Sequence, residues 1–438
     1  MNKKMIVRLG VGVFAALSAG IACAALPQVS NVNVSRLTKG RVAVTYDLAS
    51  EAVVTFDVTT NGVSVGAANL GSVNGDVFKR LPAGQGYRIV WNARGDWAGK
   101  TEIGKDWDFK VIAWALTDKP DYLVVDLNAP KADCARYYPS VEWLPGGLLE
   151  NPAYRTSSIV MKRVHAKGFP WVMGDTVDGG SAPTDPNHVV TLPHDYYMGV
   201  FEVTQSCWTN VYGAFTPKGT PKVTAKFTVD GDMRPFEFYC SYYLIRENTD
   251  NATANELYEY PNPPSPDSFL GKLRDRTGID FDLPGEAEWE FAANAGVPPA
   301  TFNTGVRADS VDAALTPGRC TANGGSNNDA SAAPDEGGTA RVGSYAPSLW
   351  GFYDFHGNVM EWCLDWYAAD ISDLNGAVNA KGRCLADGET VGAQRIYRGN
   401  AFNKAGGATQ RVNQRYRKEP KSSDQGIGFR LCCHDGLD

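Results

Sequence analysis

Between Gly351 and Trp366 the chain reads GFYDFHGNVMEWCLDW. Asp354, Gly357, Asn358, Val359 and Glu361 fall within eight residues of one another. Carboxylates, an amide carbonyl and main-chain carbonyls turned outward at a glycine are hard oxygen donors. Calcium takes about six to eight of them, so the stretch reads as a calcium-binding turn. The plainer alternative is a polar turn between two buried aromatic runs. A second concentration of chemistry follows the RIYRGNAF block (395–402). Arg411, Arg415, Tyr416, Arg417 and Lys418, with Trp350 and Phe402, have the residue types of a cleft for peptides, glycans or anionic groups. A solvated basic surface segment would read the same way.

These residues need a scaffold. Over 27–128, the runs VAVTYDL (42–48), VVTFDVTT (53–60), YRIVWNA (87–93), WDFKVIAWA (107–115) and YLVVDL (122–127) are rich in β-branched and aromatic residues. They are spaced by Gly, Asn and Asp turns, which predicts an all-β sandwich of immunoglobulin or fibronectin type over 25–128. GVSVG (62–66) matches the GxSxG pattern of hydrolase nucleophile elbows. It sits between strand runs with no following helix, whereas the elbow needs a strand–turn–helix. Residues 129–156 are punctuated by Pro and Gly and read as a linker or surface wrap. From 157 to 436 the pattern is α+β. Two helices are legible, at 265–278 with closing Gly278 and at 285–296 after Pro284.

At 438 residues, the chain is long enough for about two or three domains and a large core. Met1 to Ala24 has a basic start (Lys3, Lys4, Arg8), an apolar run and an Ala22-Cys23-Ala24 cleavage pattern. It reads as a secretory signal peptide, with an acylated Cys23 as the rival. Export to the periplasm, cell surface or medium is expected, with no transmembrane segment in the mature chain. Removing the three basic residues moves the formal net charge from −7 to −10. That argues against nucleic acid and anionic membranes as partners. Eight cysteines remain: Cys134, Cys207, Cys240, Cys320, Cys363, Cys384, Cys432 and Cys433. In an exported protein some should pair. No CxxC is present, which argues against a zinc ribbon.

Six blocks carry a family resemblance: FPWVMG (169–174), HVVTLPHDYYMGVFEVTQ (188–205), DLPGEAEWEFAANAG (282–296), GFYDFHGNVMEWCLDWY (351–367), RIYRGNAF (395–402) and GIGFRLC (426–432). In this order they resemble the hallmarks of the sulfatase-modifying-factor family, that of the formylglycine-generating enzyme. The resemblance implies an irregular core related to C-type lectins, with short strands, few helices and long ordered loops. It implies calcium at Asp354, Gly357, Val359 and Glu361, and a second calcium at Asn323, Gly324 and Asp335. It also implies a disulfide from Cys240 to Cys432 or Cys433. In the family's enzymes, two cysteines after the RGGSW block bind copper(I), and a substrate cysteine is oxidised with oxygen to formylglycine.

That pair is missing here. Residues 398–430 contain no cysteine, and Lys404 and Thr409 stand where the family has its two. An ammonium and a hydroxyl cannot replace the soft thiolates that copper(I) selects. Cys432 and Cys433, being neighbours on a strand, should face opposite ways. A relative of the family uses iron held by three histidines of an extra helical domain. Here His165, His188, His194, His356 and His434 show no such domain, and nothing marks a 2-His-1-carboxylate site.

Two functions follow. The first is a noncatalytic or repurposed binding or accessory protein for a peptide, protein or glycan, stabilised by calcium and without copper. Its candidate contacts are Trp350, Phe402, Lys404, Thr409, Arg411, Arg415 and Arg417. The second is a divergent oxidase acting on a protein cysteine, or another oxidoreductase on the same scaffold.

Overall fold

A computed structural model describes residues 27–37, 40–97, 107–174, 188–213, 225–248, 258, 260–296, 303–304, 317–368, 375–378, 394–406, 412 and 414–437. The expected signal peptide, Cys384, Thr409 and Arg411 lie outside them.

The N-terminal part is a sandwich of two sheets. One sheet is ordered Val29–Arg36, Val42–Leu48, Gly84–Trp91, Asn74–Gly75. The other pairs Ala52–Thr60 with Val63–Ser64, Lys79–Leu81 and Trp107–Trp114. Alternation sets the faces: Val42, Val44, Tyr46 and Leu48 share a buried core with Val54, Phe56 and Val58. Ser64 sits on the exposed hairpin, where its hydroxyl donates to Asp57 at 2.8 Å. It has no elbow geometry.

The sandwich ends earlier than its sequence rhythm predicts. Tyr122–Asp126 pairs instead with Ala135–Tyr138 and Ser158–Val164. Tyr196–Gly199 and Cys432–Cys433 complete this five-stranded sheet. Residues 129–156 are therefore no linker. Tyr138, Leu144, Leu148 and Tyr154 are buried in the sandwich's own core, and the Tyr137 amide donates to Phe78 at 2.8 Å. The physical reason is two-sided burial. Leu123 and Val125 face one core, Tyr122 and Val124 the other, so the run needs cover on both faces.

Three helices matter for the rest of the molecule: α1 (Gln205–Tyr212), α2 (Phe269–Thr277) and α3 (Glu286–Asn294). Ser268 caps α2 by accepting from Gly271 at 3.0 Å, and Gly278 ends it at φ 75°. At α3, Gly285 has no side chain to cap with. Glu288 reaches back and accepts from the Gly285 amide at 2.8 Å, which supplies half of a capping box. The α1 helix follows EVT and is capped by Thr204, whose hydroxyl accepts from Cys207 at 3.2 Å. Its Trp208 stacks on Phe236 and Phe269 at 4.0 and 4.8 Å.

Among the described residues no cysteine is in a disulfide, so the expected Cys240 tie is not made. Strand alternation turns Cys432 away from Cys240. Cys432 enters the core beneath α3, while Cys433 enters the core that holds Cys240. Among the described residues, no helix is long and apolar enough to cross a membrane.

Candidate functional site

The 351–366 stretch is the hub that its sequence promises. Asp354 and Asn358 adopt left-handed backbone, φ 67° and 73°, a conformation that Asp and Asn tolerate better than most side chains. The turn then runs into Met360–Trp366, which lies between Arg395–Arg398 and Ile427–Gly428 in a four-stranded sheet. Every residue of that strand is buried.

Glu361 is fully buried, and so is its partner Arg430. Arg430 binds it through Nε and one terminal nitrogen, both at 2.6 Å, and Trp289 Nε1 donates to Oε2 at 2.6 Å. The guanidinium also donates to the carbonyls of Gly199 and Tyr353 at 2.9 and 2.8 Å, and lies 3.7 Å over the Phe355 ring. Asn358 donates to Glu202 at 2.6 Å, and the Val359 amide does so at 3.0 Å. Three buried carboxylates, Glu202, Asp354 and Glu361, thus gather around one guanidinium. Burial pushes the Asp354 carboxyl up to about 7, with Glu361 adding repulsion that Arg430 and the Gly343 amide partly offset. Burial, then the charges of Asp354 and Glu361, also hold Glu202 well above the usual carboxylate range.

This arrangement fits a cation. Asp354 Oδ2 accepts from the Gly343 amide at 2.7 Å, while its buried Oδ1 has no partner. A carboxylate offers about four lone-pair directions. Arg430 and Trp289 occupy three of those on Glu361, leaving one at Oε1. An added cation would satisfy the orphaned oxygen and offset the excess negative charge.

The second set does not fit. Asn323 Oδ1 accepts from the Cys320 amide at 2.7 Å, and its Nδ2 donates to Gly318 at 2.9 Å. Its main-chain carbonyl accepts from Arg319 at 2.8 Å. A Cβ on Gly324 would sit 2.6 Å from an Arg319 terminal nitrogen, so a guanidinium is already packed there. Asp335 is exposed. The Arg319 guanidinium thus lies against Asn323 and Gly324, two of the three residues expected to hold the second calcium.

The proposed basic–aromatic cleft is also dispersed. Arg415 is buried and binds Glu286 through Nε and a terminal nitrogen at 2.7 and 2.9 Å. Phe402 is buried against Phe227, and Trp350 leans on Phe291. Lys404 is exposed, and Arg417 lies 4.1 Å from the Tyr367 ring centre. Arg415 serves α3, not a ligand. Alternation in RYRK puts Arg415 and Arg417 on one face, where Arg415 is buried and Arg417 exposed, and turns the half-buried Tyr416 to the other. A cleft of about 330 Å³ opens elsewhere, lined by Leu70, Phe78, Tyr138, Trp143 and Leu144. Its walls come from the sandwich and the segment read as a linker.

One constellation was not visible in the sequence. His194, Glu288 and His434 bring ligand atoms within 4.8 Å of one another. They come from a loop, a helix and the segment after the last strand, so no spacing motif could reveal them.

Residues 138–434 match the model of the sulfatase-modifying factor enzyme 1-like domain family, FGE-sulfatase. Over 161 residues the chain is 34% identical to the formylglycine-generating enzyme of Thermomonospora curvata, covering 35% of this chain and 50% of that one. It is 32% identical to the serine/threonine-protein kinase pkn1 of Chlamydia pneumoniae over 148 residues, covering 34% of this chain and 20% of that one. The chain thus spans half or less of the length of these curated relatives. Among solved structures, Treponema denticola variable protein 1 is similar, at 23% identity and TM-score 0.44, over 63% of this chain and 95% of that one.

Proposed function

The chain belongs to the sulfatase-modifying factor enzyme 1-like family, and on that premise we propose that it is a repurposed member, an exported accessory protein that binds a peptide or glycan instead of oxidising a cysteine. The observation that carries this reading is the empty sulfur position. Residues 398–430 hold the framework strands but no cysteine, and Lys404 stands exposed on the turn. A copper(I) ion has no thiolate there to bind.

The aromatic-lined cleft beside Trp143 supports a binding role. Its volume of about 330 Å³ lies within the range of small-ligand sites, and aromatic walls suit sugar rings and peptide side chains. Calcium, when bound, would be held by Asp354, Glu361 and the carbonyls of Gly357 and Val359, where it would supply structural charge neutralisation. Residues of this chain do the rest: Arg430 fixes Glu361, and Asn358 fixes Glu202.

A divergent oxidase is the second reading, favoured by the 34% identity to a formylglycine-generating enzyme. The test incubates the mature protein, copper and oxygen with a sulfatase-type Cys-x-Pro-x-Arg peptide and follows the product by mass spectrometry. No conversion beside an active control enzyme is the expected result. Conversion that disappears when the protein's cysteines are replaced would overturn the binding reading.

A further inference from the structure

We propose that His194, Glu288 and His434 form a binding site for a divalent transition metal, with zinc as the defining ion. The site is separate from the calcium turn and does not depend on the binding reading above.

The geometry is convergent. His434 Nε2 lies 2.8 Å from Glu288 Oε1, and His194 Nε2 lies 3.4 Å from the same oxygen. The two rings are 4.1 Å apart between centres and meet edge to face at 77°. Tetrahedral zinc with bonds of about 2.0–2.1 Å sets its ligand atoms about 3.3 Å apart. The two histidine–glutamate separations bracket that value, and all three ligand atoms lie within 4.8 Å of one another.

The fold holds each ligand from behind. Antiparallel pairing of Met198 with Cys432 and Tyr197 with Cys433 carries His434 alongside the segment of His194. The Tyr196 hydroxyl donates to the Glu288 carbonyl at 2.6 Å, fixing α3 against that strand. The Gly285 amide binds Glu288 Oε2 at 2.8 Å, which leaves Oε1 turned toward both imidazoles. Such outer contacts orient metal ligands and fix their chemistry.

Access and donor type agree. The side chains of His194 and Glu288 are 8% and 2% exposed, but that of His434 is 25% exposed, so the site opens to solvent on one side. Two imidazoles and one carboxylate suit zinc, and three protein ligands leave a fourth position for water or another donor. Cys432 Sγ lies 3.9 Å from Glu288 Oε2, behind the trio.

The test uses untagged mature protein stripped with chelator and titrated with zinc chloride by calorimetry. Cobalt chloride gives the visible absorption that reports coordination geometry. One zinc per chain is expected for the native sequence. His434→Ala should weaken binding beyond the ~10–100-fold that loss of an outer-shell partner costs. His165→Ala, which changes an exposed histidine outside the trio, should leave it unchanged. His434→Gln keeps a polar side chain at the rim, and circular dichroism checks that it folds. Its melting temperature should no longer rise with zinc. Absence of stoichiometric zinc in the native protein, or full affinity retained in both His434 variants, would overturn the site.

Discussion

Two loops of this protein have the composition of a calcium site, and the structure treats them in opposite ways. The turn at 354–361 buries three carboxylates around Arg430 and leaves Asp354 Oδ1 unpartnered. The loop at 323–335 places the Arg319 guanidinium against Gly324 and Asn323 and leaves Asp335 in solvent. In one, buried negative charge exceeds its internal cation. In the other, the chain supplies the cation itself. Oxygen-rich spacing alone cannot distinguish these cases, because the deciding groups, Arg430 and Arg319, lie outside the motif or at its edge.

Breaking the Glu361–Arg430 pair should have the largest effect. Arg430→Met leaves Glu361 buried beside Glu202 and Asp354 with no guanidinium. Removing one partner of a buried pair costs about 3–5 kcal/mol. Denaturant unfolding should show a loss of that size, and Arg430→Met with Glu361→Met should recover part of it. Equal losses in the single and double variants would mean that packing around the pair, not charge, dominates.

The next effect sharpens the comparison through pH. The folded-state pKa of Asp354, about 7, lies above the ordinary carboxylate value. The folded protein therefore holds a proton that the unfolded chain releases near pH 4. Stability from this group is full below about pH 4 and is lost as pH rises toward 7. Asp354→Asn removes the penalty, and at pH 8 without calcium it should stabilise the protein by about 2–4 kcal/mol. Bound calcium favours the ionised carboxylate, so it should cancel this pH slope in the native protein. It should also raise the melting temperature, a rise absent from Asp354→Asn. A calcium response that survives the substitution would place the ion elsewhere.

The fold was legible where local chemistry agreed with burial. Ser268 and Gly278 mark α2, and the sandwich strands alternate as their residues demand. The α1 helix was not marked, because QSCWTNVY has a weak helical pattern and relies on the stacking of Trp208. The last expected sandwich strand was misplaced because YLVV is apolar on both faces, and sequence cannot say which sheet covers it. At the site, spacing marked Asp354 and Glu361 as carboxylates of one oxygen-rich turn, but their burial around Arg430 depends on a residue 69 positions beyond Glu361 and could not be read locally. Arg415 was misread as a ligand contact because its partner, Glu286, lies 129 residues away. The histidine trio has the same character, since chain reversal and helix docking assemble it without any local spacing.

The smallest effect completes the contrast. Asp335→Ala changes an exposed side chain in a loop whose interior position is filled by Arg319. Its stability should stay within about 0.5 kcal/mol of the native protein, the usual range for surface changes. Its calcium-induced rise in melting temperature should match that of the native chain, because the ion would bind at Asp354 and Glu361. A calcium response diminished by Asp335→Ala would require Arg319 to swing away from Gly324, and the two loops would then be equivalent after all. An unchanged response beside the lost response of Asp354→Asn would leave one loop ordered by an added cation and the other by an arginine already in the chain.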